Sequence, residues 1–214
     1  MPTERKSPDA ARRSRPARQA ILTAALDLAA EVGYRRLSIE GIAARAGTGK
    51  QTIYRWWPSK GAVLFDALLA LSENEVGEVG GQDGAAGLPD TGDLAADLKL
   101  VLAATVEELN NPRYSEPMRA LTVEILENAE LAATYRERLD QPVREMKKRR
   151  LLAAVAAGQL DPGTDLDLAI DLIWGPLQNR WLFREGPLTS AFTDALVDTA
   201  LSGLAQASRR RTET

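Results

Sequence analysis

Apolar residues recur every three or four positions along most of this chain, and no stretch alternates strictly between apolar and polar. The pattern therefore predicts helices and no strands. A first helix is predicted over 16–32, where Ile21, Leu22, Ala25, Leu28, Ala29 and Val32 share a face and Gly33 follows as a terminating glycine. Short helices over 38–46 and 48–56 come next. Pro58 breaks the pattern, Ser59 caps, and Val63, Leu64, Leu68 and Leu71 carry a helix from Lys60 to about Val76. Residues 77–91 are Gly-rich and aperiodic, the signature of a loop. Helices are then predicted over 92–109, 114–126, 129–157 (broken near Pro142), 165–184 (interrupted at Gly175-Pro176) and 189–207. The expected fold class is all-α: an N-terminal three-helix head followed by a larger helical domain.

The segment 38–57 has a finer pattern. Small Ala43 lets two helix backbones approach. Gly47, four residues on, stands where the turn between them needs a positive φ. Ile42, Ala46 and Ile53 are expected to close a small apolar core. Ser38 caps the first of the two helices, and Thr48 is placed to cap the second. Lys50, Gln51, Thr52 and Tyr54 are left pointing outward, with the reach to touch base edges and phosphates. This is the pattern of a helix-turn-helix.

Charge supports that reading. The 214 residues carry a net charge of −3, but residues 1–70 alone carry +6 and residues 71–214 carry −9. A basic front on an acidic body points to a polyanion as the partner of the front only. Composition also excludes chemistry. With no Cys and no His, the chain has no disulfide, no thiol nucleophile, no imidazole–zinc site and no His-based triad. No catalytic or metal residue and no cofactor is expected, although a carboxylate-only enzyme stays open. No run approaches the roughly 18 apolar residues of a membrane span. The basic N-terminus is followed by no apolar stretch, and Glu4 and Asp9 are unlike a transit peptide. The expected location is the cytoplasm, with no membrane partner.

The residues Ala-Ala-Glu-Val-Gly-Tyr at the end of the first helix, Ile-Ala-Ala-Arg-Ala-Gly in the second, and Ile-Tyr-Arg-Trp-Trp-Pro-Ser-Lys leading into an apolar fourth helix resemble the tetracycline-repressor-like (TetR-type) transcriptional regulators. The resemblance covers about residues 15–72. It implies a DNA-binding domain over 15–72 and a ligand-binding and dimerisation domain over 73–214, while the Pro- and Arg-containing residues 1–14 read by composition as a flexible basic arm. It also implies a homodimer whose two recognition helices enter successive major grooves of a pseudo-palindromic operator. A small-molecule effector would bind the C-terminal domain, and repression is the family's usual mode.

The resemblance places Lys50 and Gln51 where base-reading side chains lie, Lys for guanine O6 and N7 and Gln for adenine. Thr48, Thr52 and Tyr54 offer hydroxyls to phosphate, the alternatives being Thr48 as a cap alone and Tyr54 half in the core. Gly49 counts among the DNA-contacting positions, and Ser38 presents a helix N-terminus to the backbone. Trp56 either donates its indole N–H to phosphate or packs on the first helix, whereas Trp57 matches a buried aromatic. Lys60, in the first turn of the fourth helix, is expected on phosphate. Relatives often carry an acidic residue after it, and here Gly61 stands in that place. Arg12, Arg13, Arg15 and Arg18 either track phosphates or form a solubilising tail. In the C-terminal domain, Met118, Trp174, Asn179, Trp181 and Phe183 are the candidate ligand contacts, with Trp174, Trp181 and Phe183 near the expected bend at Pro176. Leu177 and the apolar positions from Leu188 to Leu204 are expected at the dimer interface. The run Lys147-Lys148-Arg149-Arg150 reads as a solvated helix with acidic partners, and Asp165, Asp167 and Asp171 as helix-start carboxylates rather than a metal site. The competing functional class is a helical small-molecule-binding protein or carboxylate enzyme whose head is purely structural.

Overall fold

The computed structural model describes the backbone of residues 8–79 and 87–212 and the side chains of residues 15–71 and 87–207. It divides into two compact units, Met1–Gln82 with Pro112–Tyr135, and Asp83–Asn111 with Arg136–Thr214. All regular structure among the described residues is helical. The expected domain boundary at 72/73 falls inside a helix, and a later pair of helices joins the head.

The first unit contains α1 (Pro8–Val32), α2 (Ile39–Arg45), α3 (Lys50–Tyr54), α4 (Lys60–Val79), α6 (Pro112–Glu127) and α7 (Ala129–Tyr135). Helix α1 packs on α2, α4 and α6. Ile21, Leu22, Ala25 and Ala29 of α1, Val63, Leu64, Phe65 and Leu68 of α4, and Leu121 of α6 are all buried. The helix begins at Pro8, not at Pro16, so residues 8–14 of the expected flexible arm are helical. Proline suits a first helical turn, and Ala10, Ala11, Arg12 and Arg13 are strong helix formers that carry the helix through Pro16 at the cost of one backbone bond. Helix α4 likewise runs three residues past its expected end. The expected loop at 80–86 lies outside the described residues.

The second unit contains α5 (Leu94–Asn110), a π-helical turn (Arg136–Asp140), α8 (Gln141–Ala156), α9 (Leu166–Phe183) and α10 (Ser190–Thr212). Helix α10 packs on α5 and α9, and α8 packs on α9. Leu98, Leu102, Leu151, Ile173, Trp174, Leu177 and Val197 form its core. The break expected near Pro142 takes the form of the π-helical turn just before it. Proline offers no N–H to the carbonyl four residues back, and the backbone widens there. The interruption expected at Gly175-Pro176 does not occur. Helix α9 continues through Pro176, whose side chain is on the solvent side, so the carbonyl it leaves unbonded can be hydrated.

Candidate nucleic-acid interface

Ser38 adopts the extended conformation of a helix cap (φ −136°, ψ 152°), and its Oγ accepts from the Gly41 N–H at 3.1 Å. Gly47 takes φ +63°, the left-handed conformation the turn needs, and the Thr48 N–H donates to the Ala43 carbonyl at 2.9 Å. The turn thereby delivers Gly49, not Thr48, to the cap of α3. Gly49 is extended and brings no side-chain hydrogen bond, so Thr48 does not cap as expected. Below the turn, Ile42 and Ile53 are completely buried and Ala43 is nearly so, while Ala46 is only half-buried. The helix pair closes on Ala43 rather than Ala46.

Above the turn, Gly49, Lys50, Gln51 and Tyr54 are exposed, and Thr48 and Thr52 are half-buried. Helix α3 thus separates one anchoring residue, Ile53, from a polar outer face. The Lys50 ammonium donates to Glu40 Oε1 on α2 at 2.9 Å. That hydrogen bond, and then the attraction between the charges, holds Glu40 below the usual carboxylate range and Lys50 above the usual lysine range.

The end of α3 is clamped from behind. Trp57 is buried, and its indole Nε1 donates to Asp66 Oδ2 at 2.8 Å. Arg18 of α1 donates to the same oxygen at 2.7 Å. One carboxylate of α4 therefore ties α1 to the aromatic that follows the recognition helix. Trp56 is half-buried, set edge-on to Trp57 at 5.4 Å between centroids, and the Arg55 guanidinium lies 5.1 Å above its ring. It packs on its neighbour rather than only on α1. Arg18 is thus an internal tether, Arg15 is exposed, and the side chains of Arg12 and Arg13 lie outside the described residues.

Lys60 faces inward more than expected. Its ammonium donates to the carbonyls of Tyr34 and Leu37 at 2.9 and 3.1 Å and sits 4.3 Å from the Tyr34 ring centroid. Two of its three protons are committed to the α1–α2 connector, leaving at most one for a phosphate. Gly61 also has a structural explanation. A Cβ there would lie 3.1 Å from Leu131 Cδ2, 3.1 Å from the Tyr34 hydroxyl and 3.3 Å from Glu124 Cγ, so a larger residue would require these side chains to give by a few tenths of an ångström. Burial, and then the Glu124 carboxylate, push the Tyr34 phenol up.

Two residues of this face escaped the sequence reading. Glu40 gave no signal, because an acidic residue in the first turn of α2 is explained by the helix dipole alone. Arg55 did give one, as an exposed cation adjoining the recognition helix.

The candidate ligand residues are dispersed. Met118 lies on α6 of the first unit and is half-buried. In the second unit Trp174 and Trp181 are buried on the inner face of α9, whereas Asn179 is exposed and Phe183 is 65% exposed. At about 100° per residue, Phe183 points half a turn away from Trp174, so the two cannot line one cavity. Asn179 bonds Glu185 Oε2 at 3.1 Å. A cavity of about 370 Å³ in this unit is lined instead by Gly92, Asp93, Leu94, Gln159, Leu160, Asp161, Leu201 and Leu204, among others. Leu177, expected at a dimer interface, is 1% exposed and belongs to the core.

The charged motifs of the second unit also resolve. Asp165 caps α9 by accepting from the Leu168 N–H, and Arg144 donates to Asp167 and Asp171 at 2.7 and 2.9 Å. Of the basic run, Lys148 pairs with Asp167, while Arg150 is buried rather than solvated and donates to buried Asp97 at 2.7 Å.

A short helix anchored by one aliphatic residue, with a polar outer face and a glycine turn behind it, defines a helix-turn-helix reader of DNA. Residues 21–67 match the family described as bacterial regulatory proteins, tetR family, and residues 88–200 match the tetracyclin repressor-like C-terminal domain. The chain is 31% identical over 186 residues to YdeS of Bacillus subtilis (strain 168), an uncharacterized HTH-type transcriptional regulator, across 87% of this chain and 88% of that one. It is 31% identical over 185 residues to a DNA-binding transcriptional repressor TetR of Mycobacteroides abscessus, across 85% and 90% of the two chains. The crystal structure of the TetR family transcription regulator SCO0332 superposes with a TM-score of 0.69 at 31% identity, over 88% of this chain and 98% of that one. The chain belongs to the TetR family of transcriptional regulators.

Proposed function

We propose that this regulator acts in the cytoplasm as a homodimeric, effector-responsive repressor on a pseudo-palindromic operator. Lys50 and Gln51 read bases. Ser38, Thr48, Gly49, Thr52, Tyr54 and Trp56 contact the sugar-phosphate backbone, and Lys60 chiefly orients the head. The observation that carries this reading is the division of α3, whose Ile53 is fully buried while Lys50, Gln51 and Tyr54 face solvent. The homodimer is supported by α9, where Leu168, Leu172 and Phe183 are 52%, 43% and 65% exposed on one face that also carries Pro176 and Asn179. Among the described residues no helix is long and apolar enough to cross a membrane. Effector binding would change the spacing of two heads that must engage two half-sites together, and much of the affinity comes from that joint engagement.

Selection from random duplexes tests the reading. A palindromic consensus is expected, with affinity falling steeply as salt rises. Lys50→Ala should relax the preference at one or two positions of each half-site by about tenfold or more. Failure of the purified protein to enrich any duplex at low ionic strength would overturn it.

A further inference from the structure

Glu40 is left unexplained by a face built to meet a polyanion. Its side chain is 64% exposed, it stands beside the recognition helix, and it holds the ammonium of Lys50, itself 53% exposed, at 2.9 Å. A carboxylate there repels phosphate and neutralises a cation that would otherwise attract it. The helix dipole favours an acid at this point of α2, but it does not require a side chain that reaches across to α3. Lys50, conversely, opens α3 at the end where a cation is disfavoured, and Gly49 before it supplies no side-chain cap. Its ammonium is oriented by Glu40 and not by its own helix.

We propose that Glu40 and Lys50 act as one unit that reads a single G·C base pair in the major groove, Lys50 donating to guanine O6 and N7 and Glu40 accepting from cytosine N4. The inference rests on the DNA-binding reading of α2 and α3 given above. The geometry matches the base pair. Guanine O6 and cytosine N4 are themselves hydrogen-bonded partners, about 2.9 Å apart. A donor and an acceptor held 2.9 Å apart on the protein can therefore face them side by side. The valences match as well. An ammonium has three protons, so Lys50 can keep Glu40 while bonding guanine. A carboxylate offers about four lone-pair sites, so Glu40 can keep Lys50 while accepting the free N4 proton.

The pair also dictates what is rejected. Turned to C·G, the ammonium meets the amino group of cytosine and the carboxylate meets O6, two repulsions at once. A·T gives the same mismatch. T·A presents a keto oxygen to Lys50 and an amino group to Glu40, but it places a methyl group where guanine offers N7. It also sets the N7 lone pair of adenine near the carboxylate. The order of preference is G·C, then T·A, with the two reversed pairs last. Glu40 thus gives up non-specific affinity in exchange for discrimination at one position.

The test is selection from random duplexes followed by titrations over a salt series, with the wild type, Glu40→Ala, Glu40→Gln and the exchanged pair Glu40→Lys/Lys50→Glu. Far-UV circular dichroism verifies that each variant is folded, and the exposed position makes that the expected result. Wild type should select a palindrome containing one strongly preferred G·C per half-site. Glu40→Ala should lose about tenfold or more of the discrimination at that position alone. It should also bind random DNA more tightly, with a salt slope steeper by about one unit as Lys50 turns to phosphate. The exchanged pair should prefer C·G or A·T at the same position. A wild-type palindrome that Glu40→Ala, Glu40→Gln and the exchange all leave unchanged would overturn the proposal while the DNA-binding reading stands. If the wild type selects nothing, both fall.

Discussion

The outer face of α2 and α3 and the interior of the second unit hold charge in opposite ways. On the head, Arg45 pairs with Glu31 and Lys50 with Glu40, and all four side chains are 42–64% exposed. In the second unit Arg150 pairs with Asp97, and both are 3% exposed. Exposed pairs contribute little to stability, which leaves their members open to sharing with a nucleic acid. A buried pair cannot be separated so cheaply, because removing one member strands the other in a poor solvent. The exposed cations of α2 and α3 are available to a partner, whereas Arg18 and Lys60 of the head and Arg150 of the body are held by internal acceptors. Net charge alone does not separate these two uses.

The largest effect is expected at Asp97. Its carboxylate accepts from Arg150, from the Thr91 hydroxyl at 2.7 Å and from the Thr91 N–H at 3.0 Å, and Arg150 also donates to the Pro89 carbonyl. Asp97→Ala is expected to destabilise the fold by about 3–5 kcal/mol, read from urea denaturation. Replacing both partners (Asp97→Leu with Arg150→Met) should recover most of that loss, since no charge is then left buried. The pH dependence has a definite sign. Burial pulls Asp97 up, but the hydrogen bonds from Arg150 and Thr91 outweigh it and leave the group below its ordinary value. Its contribution is therefore complete above the unfolded value of about 3.9 and is lost as pH falls through the lower folded value. The urea midpoint of the wild type should fall more between about pH 4 and pH 2 than that of the double variant. Equal losses would show that the pair is not what acid attacks.

Gly61 sharpens the comparison from the other side, because it is a head residue whose role is internal. Gly61→Val puts branched carbons against Leu131, the Tyr34 hydroxyl and Glu124, where even a Cβ is at 3.1–3.3 Å. The expected cost is about 1–3 kcal/mol of overpacking. Operator affinity should fall as well, because α4 and the Lys60 contacts to the connector shift together. A variant as stable as the wild type would mean that α6 and α7 yield without resistance.

The helix-turn-helix was legible because local rules fix it. Gly47 needs its positive φ, Ile42 and Ile53 need burial, and the polar positions between them have nowhere to go but outward. Those constraints act within about twenty residues, and a sequence records them directly. The features that were missed depend on contacts far apart in the chain. Arg150 read as a solvated cation because its partner Asp97 is 53 residues away. The hydrogen bonds of Lys60 to the Tyr34 and Leu37 carbonyls were not legible because those carbonyls belong to the connector after α1. Asn179 and Phe183 read as pocket residues, Phe183 because a bend was expected at Pro176. Once α9 continues through it, helical geometry sends them to the opposite face from Trp174. Prolines misled at Pro16 for the same reason: a helix that is otherwise favourable tolerates the loss of one bond.

The smallest effect is expected at Arg45 and Glu31, and its smallness is informative. Arg45 donates two hydrogen bonds to Glu31, at 2.9 and 2.7 Å, which joins α2 to α1 in the bidentate geometry that gives exposed pairs their best chance. The hydrogen bond, opposed by slight desolvation and aided by charge attraction, lowers Glu31, and the same hydrogen bond raises Arg45. Both ends remain in water, so bulk solvent screens the attraction, and ordering two long side chains opposes it. Glu31→Gln should leave the urea midpoint close to that of the wild type. Any difference should shrink further in 0.5 M salt. A double-mutant cycle with Arg45→Gln isolates the coupling from effects on the unfolded chain. A large coupling, insensitive to salt, would show that the exposed pairs of the head are structural as well, and the contrast with the buried Arg150–Asp97 pair would then fail.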